Sequence, residues 1–490
     1  MSNPSIKKQV LSLGAARLID YGLQFVLPMV LARVFEPAEY GQYMLLWLVV
    51  NTTLIVTTLH MPQGLFYVLP HSRSEAGKTR NILNTFAFLV ATGLLATIAV
   101  NPWFSLLPER FVASGEQAWV VPAFVFLWTV SQLLDSLPTA EERIRWHCWA
   151  IIGLSLFRAA LLAGLAWFYR DMSVVFLGLV FFACIKLLVL LTYMLVYHSI
   201  KNWSIDRMLL WAQLSYSIPF GIGAGLFLLR NQGDQWIAAY LFPAAEYSLF
   251  VIGMYLGPFL TLVRESINSA VLPKLSRYHA EGDQTALLEL SRRSNTHTAL
   301  VLFPLLIWFF IFAGDIIEVI FSAAYRDAAG VMRIFILSYL TQTFEANNLF
   351  RIVGGGRYSI YLSLGLLVPA IVVSYWGGVT LGLWGVALGA LVVTYSGEPL
   401  KLLYVARQLA LPVARIVDWS SWLILFAVSL IAGFFAYQAM EVFGHSIQWP
   451  LLRSALGAGV IAITYFMMIR VVRGSLLSTY VNMLRSRPVV

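Results

Sequence analysis

The sequence predicts an all-α, polytopic membrane protein with about 14 transmembrane helices, and three observations lead to this prediction. Of its 490 residues, 59% are hydrophobic and only 12% are charged, whereas a soluble domain carries about 25% charged residues. The mean hydropathy is +0.77. Apolar stretches of about 20 residues, enough to cross some 30 Å of hydrocarbon, recur along the whole chain. Because so little charge is available to cover soluble surfaces, lipid is expected to be the main solvent of the folded chain.

Fourteen apolar stretches are predicted to span the membrane. The first contains Arg17 and Asp20 and no small-residue cleavage site follows it, so we expect a retained helix and not a signal peptide. The longest connection, residues 271–295, predicts a cytoplasmic surface helix, and no loop is long enough to fold as a catalytic domain. The predicted spans are 11–34, 41–62, 82–107, 118–138, 148–169, 173–197, 209–230, 247–270, 296–321, 329–352, 358–377, 381–405, 419–439 and 451–471.

The distribution of basic residues predicts the orientation. With the N-terminus in the cytoplasm, 23 of the 33 Lys and Arg fall on cytoplasmic segments and only 7 on the outside, as the positive-inside rule requires. We therefore expect a multi-pass protein of the cell inner membrane with both termini in the cytoplasm. The net charge of +9 is explained by this bias, so no nucleic-acid partner is expected. The two Cys have no metal-binding spacing, and no cofactor or metal is predicted.

An internal repeat predicts two lobes. The segment Ala32–Tyr40 matches Ala239–Tyr247 at five of nine positions, 207 residues apart. Two further short matches follow in order at offsets of 203 to 204, each on the same side of the membrane in both copies. The sequence therefore predicts two parallel six-helix lobes, as in transporters that alternate access by moving one lobe against the other. The predicted domains are an N-terminal lobe, a C-terminal lobe, and two additional helices with a cytoplasmic tail: 1–200, 201–410 and 411–490.

Proline and glycine interrupt the opening helix of each predicted lobe. Pro28 lies in the first, and Pro219, Gly221, Gly223 and Gly225 lie in the seventh. Breakers at corresponding spans are typical of moving helices that line a cavity. The alternative is that Gly and Pro are simply frequent in membrane helices.

Several motifs resemble those of one family. The segment Arg33–Tyr43 resembles the one after the first helix of polysaccharide and O-antigen flippases, and Gly233–Ala238 with Ala245–Tyr247 is similar to their entry into the second half. Gly314–Tyr325 and Leu381–Ala387 resemble their later helices. The resemblance implies the polysaccharide branch of the multidrug/oligosaccharidyl-lipid/polysaccharide exporter superfamily, with a MATE-like fold. Many members have twelve spans, and the extra pair here also occurs in lipid II flippases of the superfamily.

This resemblance implies a transporter that is not an enzyme. Its substrate would be an undecaprenyl-diphosphate-linked oligosaccharide, a repeat unit of an exopolysaccharide, capsule or O-antigen, moved from the cytoplasmic to the periplasmic leaflet by alternating access. The expected partners are this lipid-linked oligosaccharide, membrane lipids, and the polysaccharide polymerase and chain-length machinery.

Two cations lie at the middle of predicted spans. Arg158 is in the fifth span and Lys186 in the sixth, and each would cost about 2.5–3.5 kcal/mol at a helix centre. They are therefore expected to face protein or water. The functional interpretation is a basic lining that binds the substrate diphosphate. The alternative is a structural ion pair, for instance with Asp135 of the fourth span.

Other charges in the spans are weaker candidates. Arg17 and Asp20 lie one helical turn apart, so they can pair with each other or take part in substrate binding and ion coupling, respectively. Arg264 and Glu265, near the cytoplasmic end of the eighth span, are a further substrate-binding cation and ion-coupling acid, or they simply reach the interface.

Glu345 is predicted inside the tenth span. A lone acid at that depth is protonated, paired or ion-coordinating, so Glu345 is a candidate for proton or sodium coupling, with a buried pair to Arg351 or Arg264 as the alternative. The seven His are scattered and are expected to be structural.

Two other functions stay open from sequence. A MATE-type drug or cation antiporter is the nearest, although a cationic-drug pocket is expected to be acidic and the deep spans carry three cations beside three acids. A membrane-embedded polysaccharide polymerase or ligase, a different class, would need catalytic residues on a large outside loop. None is predicted.

Overall fold

The computed structural model describes residues 6–72, 74–101, 118–198, 204–344, 346–444 and 447–485, and this part of the chain is α-helical without a strand. The all-α fold is thus confirmed. The helices are α1 Ile6–Val34, α2 Pro37–Thr58, α3 Met61–His71, α4 Glu75–Ala99, α5 Val120–Ser131, α6 Leu137–Ala140, α7 Ile144–Tyr169, α8 Met172–Tyr197, α9 Arg207–Leu241, α10 Ala244–Met254, α11 Gly257–Ala280, α12 Gln284–Ile311, α13 Ala313–Ile320, α14 Ala328–Tyr339, α15 Asn347–Ile352, α16 Gly356–Leu381, α17 Leu383–Gln408, α18 Trp419–Phe443 and α19 Pro450–Arg485.

Within the described residues, 13 helical segments are long and apolar enough to cross a membrane, so this is a multi-pass membrane protein. They coincide with thirteen of the fourteen predicted spans. The remaining one, 329–352, is interrupted, because α14 ends at Tyr339 in a 3-10 turn, Leu340–Thr343, before the short α15. Glu345 of this segment lies outside the described residues, so the span 329–352 stays a prediction.

The prediction of a surface helix over 271–295 was wrong. Helix α11 continues through Pro273 as far as Ala280, and α12 already begins at Gln284. Gly282 turns the chain between them with a φ of +75°, a left-handed conformation that glycine adopts without steric cost. Two long helices joined by a tight turn therefore replace the separate surface element.

The internal repeat extends to irregular structure. Helix α5 is twelve residues long and runs into a 3-10 turn, Gln132–Asp135, and α14 with its own 3-10 turn repeats both elements 208 residues further on. The second span of each copy is also broken, between α2 and α3 and between α10 and α11. Such breaks at corresponding positions support a duplication more strongly than short sequence matches do.

The chain forms two compact units, residues 1–232 and 233–490. In the first unit, α1 packs along α7, α5 packs against α4 and α8, and α8 also contacts α7. The unit boundary falls inside α9, whereas the predicted lobes 1–200, 201–410 and 411–490 followed the sequence repeat. That domain assignment stays a prediction.

In the second unit, the two additional helices α18 and α19 pack on α12 and α13. Arg453 of α19 forms a salt bridge with Asp315, which is 6% exposed, and its Nε donates to a carboxylate oxygen at 2.7 Å. The Trp308 indole donates to the main-chain oxygen of Ser454 at 2.9 Å. A bidentate pair to a buried carboxylate holds the helices in one register.

Helices α16 and α17 form a hairpin in which two main chains touch. They are joined at Gly382, which has a φ of +70°, and a Cβ on Gly385 would overlap the carbonyl oxygen of Gly377. Small residues at such crossings allow the close packing that stabilises helix pairs in lipid. Gly365 of the same hairpin, in contrast, has open space where a Cβ would stand.

We expect Gly385→Ala to destabilise the protein by about 1–3 kcal/mol, the usual cost of overpacking. The melting temperature of the detergent-solubilised protein, followed by tryptophan fluorescence, measures this. Gly365→Ala is the matched control and should leave the melting temperature unchanged or slightly raised. Equal behaviour of the two variants would contradict the close contact.

Candidate functional site

A charged cavity of about 150 Å³ lies inside the first unit. It is lined by residues of helices α1, α5, α7 and α8 and of the 3-10 turn after α5. The aromatic side chains of Tyr21, Trp128 and Phe182 and several aliphatic side chains complete a wall that is otherwise polar. The lining residues are Arg17, Asp20, Tyr21, Gln24, Trp128, Leu134, Asp135, His147, Ala150, Ile151, Leu154, Ser155, Arg158, Phe182 and Lys186.

Helical periodicity brings these side chains to one place. On α1 the lining positions are 17, 20, 21 and 24, and on α7 they are 147, 150, 151, 154, 155 and 158. Steps of three and four residues keep side chains on one face of a helix. Because α1 and α7 pack along each other, the polar faces of the two helices meet and are withdrawn from lipid.

Lys186 is held by a carboxylate and an aromatic ring. Its side chain is 6% exposed, and its Nζ lies 2.8 Å from a carboxylate oxygen of Asp135. The same Nζ lies 4.4 Å from the ring centroid of Trp128, within the range of a cation–π interaction. The ion pair that the sequence offered as one alternative is therefore present, and it borders the cavity.

Arg158 of α7 lies beside Asp20 of α1. Its guanidinium is 3.7 Å from Asp20, and the two side chains are 11% and 14% exposed. Asp20 also accepts hydrogen bonds from Ser155 at 2.5 Å and from Gln24 at 2.9 Å. The buried Nε of Arg158 has no acceptor among the described residues, so one of its donors is left for a further acceptor.

Arg17 does not depend on Asp20 as a partner, although one helical turn separates them. Its guanidinium donates to the main-chain oxygen of Asp135 at 3.2 Å. This oxygen is available as an acceptor because Pro138, three residues further along the chain, has no N–H with which to continue the 3-10 hydrogen bonds. The break after α5 therefore offers a carbonyl to α1 and places the Asp135 carboxylate against α8.

The turn that leads into α7 is anchored outside the membrane-spanning segments. Glu141 is 3.2 Å from His198 and accepts a hydrogen bond from Tyr193 at 2.5 Å. Burial opposes ionisation, but these contacts together with Arg143 lower the pKa of Glu141 overall. A carboxylate ionised in this position ties the start of α7 to the end of α8, and so fixes both cation-bearing helices.

The cavity carries a formal charge of +1. Three cations, Arg17, Arg158 and Lys186, face two acids, Asp20 and Asp135. A charged side chain this deep in a membrane span costs free energy unless it is paired or solvated. Each of the two acids offsets the charge of one cation. The excess cation favours an anionic ligand.

Three predicted residues lie elsewhere or outside the described part of the chain. Arg264, which is 8% exposed, and Glu265 are on α11 of the second unit, 2.8 Å apart, so they pair with each other and are not in the cavity. Glu345 lies outside the described residues.

The sequence did not single out some residues that the structure brings to charged sites. Lys401 of α17 contacts Glu398 at 2.6 Å and Asn347 at 3.0 Å, a polar cluster in the second unit. In the cavity, the structure adds His147 and Ser155 to the predicted charged residues. Their spacing from Arg158, eleven and three residues, was the available signal, because it places all three on one face of α7.

The described residues contain no group of three or more His, Cys, Asp or Glu that could hold a metal ion. The polar groups of the cavity suit recognition of an anion by charge and hydrogen bonding.

Comparison with known proteins decides the family. The sequence profile described as polysaccharide biosynthesis protein matches residues 6–279, more than half of the chain. The chain belongs to this family. No curated protein sequence is significantly similar to it.

Solved structures agree with the family. The inward closed conformation of the lipid II flippase MurJ superposes with a TM-score of 0.65 at 13% identity, covering 94% of this chain and 98% of that one. An inward-facing multidrug resistance MATE family transporter of the MOP superfamily gives 0.62 at 13% identity, over 82% and 98%. A MOP superfamily transporter from Pyrococcus furiosus gives 0.51 at 13% identity, over 82% and 96%. The fold is thus that of MOP-superfamily transporters, as the sequence predicted.

Within this family member, the two copies of the repeat differ at the charged site. Asp135 closes the 3-10 turn of the first copy, and Thr343 closes that of the second. Thr343 accepts a hydrogen bond from the indole of Trp422, on α18, at 2.7 Å. A neutral pair therefore occupies the position that holds a carboxylate in the first copy.

We expect Arg158→Met to lower the melting temperature more than the double variant Arg158→Met with Asp20→Asn. Removing one partner leaves a buried charge uncompensated, at a cost of about 3–5 kcal/mol, whereas the double change removes both charges and keeps an oxygen that accepts from Ser155. Thermal unfolding of the purified proteins checks this. A double variant no more stable than the single one would exclude the ion pair.

Proposed function

We propose that this protein is a flippase that moves an undecaprenyl-diphosphate-linked oligosaccharide, a repeat unit of an exopolysaccharide, capsule or O-antigen, from the cytoplasmic to the periplasmic leaflet. The observation that carries the proposal is the net positive cavity in the first unit of a chain with a MOP-superfamily transporter fold. Arg158, Lys186 and Arg17 bind the diphosphate, which is the one chemical feature that such substrates share whatever their sugar.

The geometry suits a diphosphate for a physical reason. Phosphate oxygens accept several hydrogen bonds at once, and guanidinium and ammonium donors bind them more strongly than neutral donors do. The free Nε of Arg158 supplies one such donor. Asp20 and Asp135 neutralise the cations while the cavity is empty, and the anion competes with these carboxylates when it enters.

The proposal places the protein in the cell inner membrane with both termini in the cytoplasm, where lipid-linked repeat units are made and passed to a polymerase and its chain-length machinery. Ion coupling at Asp20, Glu265 and Glu345 remains a prediction. Asp20 is the strongest of these candidates because it contacts Arg158 in the cavity.

The second candidate function is a MATE-type drug or cation antiporter. Similarity to a multidrug resistance transporter favours it, but a cavity with an excess positive charge repels cationic drugs. A polymerase or ligase is not favoured by the MOP-superfamily transporter fold.

We expect cells carrying Arg158→Ala with Lys186→Ala to insert the protein but to lose export of the cognate polysaccharide, with its lipid-linked repeat unit accumulating in the cytoplasmic leaflet. Loss of two of three cations makes the cavity charge negative, so the diphosphate is repelled. Surface polysaccharide, and the leaflet in which the lipid-linked unit accumulates, are measured at matched expression levels.

The charge-matched control removes two exposed cations from α11, Lys274→Ala with Arg277→Ala, and should export normally. Normal export by the cavity variant would refute the basic lining. Unchanged export together with increased sensitivity to cationic drugs would favour the antiporter.

A further inference from the structure

The charge of the cavity does not match that of the proposed ligand. A diphosphate that joins a polyprenol to a sugar has two ionised phosphate groups and therefore two negative charges. The fixed charges of the cavity sum to only one positive charge. A complex of the two would retain one uncompensated negative charge inside an apolar helix bundle, which is unfavourable.

His147 is placed to correct this mismatch. It lies on the same face of α7 as Arg158, lines the cavity, and is 1% exposed. The charged groups around the same cavity are Arg17 from α1, Asp135 from the 3-10 turn and Lys186 from α8, with Asp20 and Arg158 further along. Histidine is the side chain whose charge changes most readily near neutral pH.

The contact between His147 and Thr139 is compatible with both charge states. The Thr139 hydroxyl lies 2.5 Å from Nδ1 of the imidazole. A hydroxyl can donate to an unprotonated ring nitrogen or accept from a protonated one. Protonation at either nitrogen therefore leaves this buried contact intact, and the ring keeps its position in the wall.

We propose that His147 takes up one proton when the diphosphate binds, so that the cavity reaches two positive charges and neutralises the ligand. This inference rests on the proposed function. In the empty cavity, Arg17 and Lys186 disfavour a further positive charge, whereas a bound dianion favours it. The proton comes from solvent and binds the imidazole, so no bond of the ligand is broken. Binding and proton uptake are then linked, and affinity falls as pH rises.

Calorimetry of the purified full-length protein measures this directly. The probe is the citronellyl methyl diester of diphosphate, whose two acidic groups are already ionised at neutral pH and cannot bind the proton themselves. Titrations near pH 7 in buffers of different ionisation enthalpy give the number of protons taken up. We expect about one proton for this probe. The citronellyl methyl diester of monophosphate, with one charge, should bind with about none.

The decisive variant is His147→Gln, which keeps a hydrogen-bonding side chain beside Thr139. It should bind the diphosphate probe more weakly, about tenfold or more, and with about zero protons taken up. The exposed His279→Gln on α11 is the control and should match the native protein. A melting temperature close to native confirms that His147→Gln is folded.

The possible results separate the two proposals. Binding without proton uptake by the native protein overturns the role of His147 and leaves the proposed function intact. Uptake that persists in His147→Gln also overturns it and assigns the proton to Asp20 or Asp135. Failure of the native protein to bind either probe contradicts the proposed function, and the inference falls with it.

Discussion

The ion pair between Lys186 and Asp135 shows the constraint on which the rest of this unit depends. An ammonium group at mid-helix is tolerated in a membrane only where protein or water receives it. The Nζ of Lys186 lies 2.8 Å from a carboxylate oxygen of Asp135 and 4.4 Å from the ring centroid of Trp128. The same demand applies to Arg158 and Arg17, and together the three cations require α1, α5, α7 and α8 to turn their polar faces towards one another.

The irregular backbone after α5 supplies a main-chain hydrogen-bond acceptor that a continuous helix would not leave free. The 3-10 turn after α5, followed by Pro138, frees the carbonyl of Asp135 for Arg17 and directs its carboxylate to α8. In lipid such a break persists only where protein groups satisfy the main chain. The second copy of the repeat keeps the break but has Thr343 and Trp422 there. The duplication therefore preserved the scaffold, while the charges distinguish the two copies.

Much of the fold could be predicted because span length and hydropathy are local properties of the chain. Thirteen of the fourteen predicted spans coincide with helical segments that are long and apolar enough to cross a membrane. In the fourteenth, 329–352, the structure shows α14, a 3-10 turn and α15, and hydropathy alone does not reveal such a turn. The surface helix over 271–295 was wrong because polar residues of α11 and α12 extend these helices beyond the apolar region.

The sequence by itself determined that Arg17, Asp20, Arg158 and Lys186 lie within apolar helices, because each sits inside a stretch long enough to span a bilayer. Only the tertiary structure decided that these four share one cavity, that Asp20 contacts Arg158 while Arg17 contacts the main chain of Asp135, and that His147 joins them. Arg264 and Glu265, equally plausible from sequence, pair in the other unit. The physical reason is that hydropathy places a residue within a span, whereas its partners depend on the rotation and packing of helices far apart in the chain.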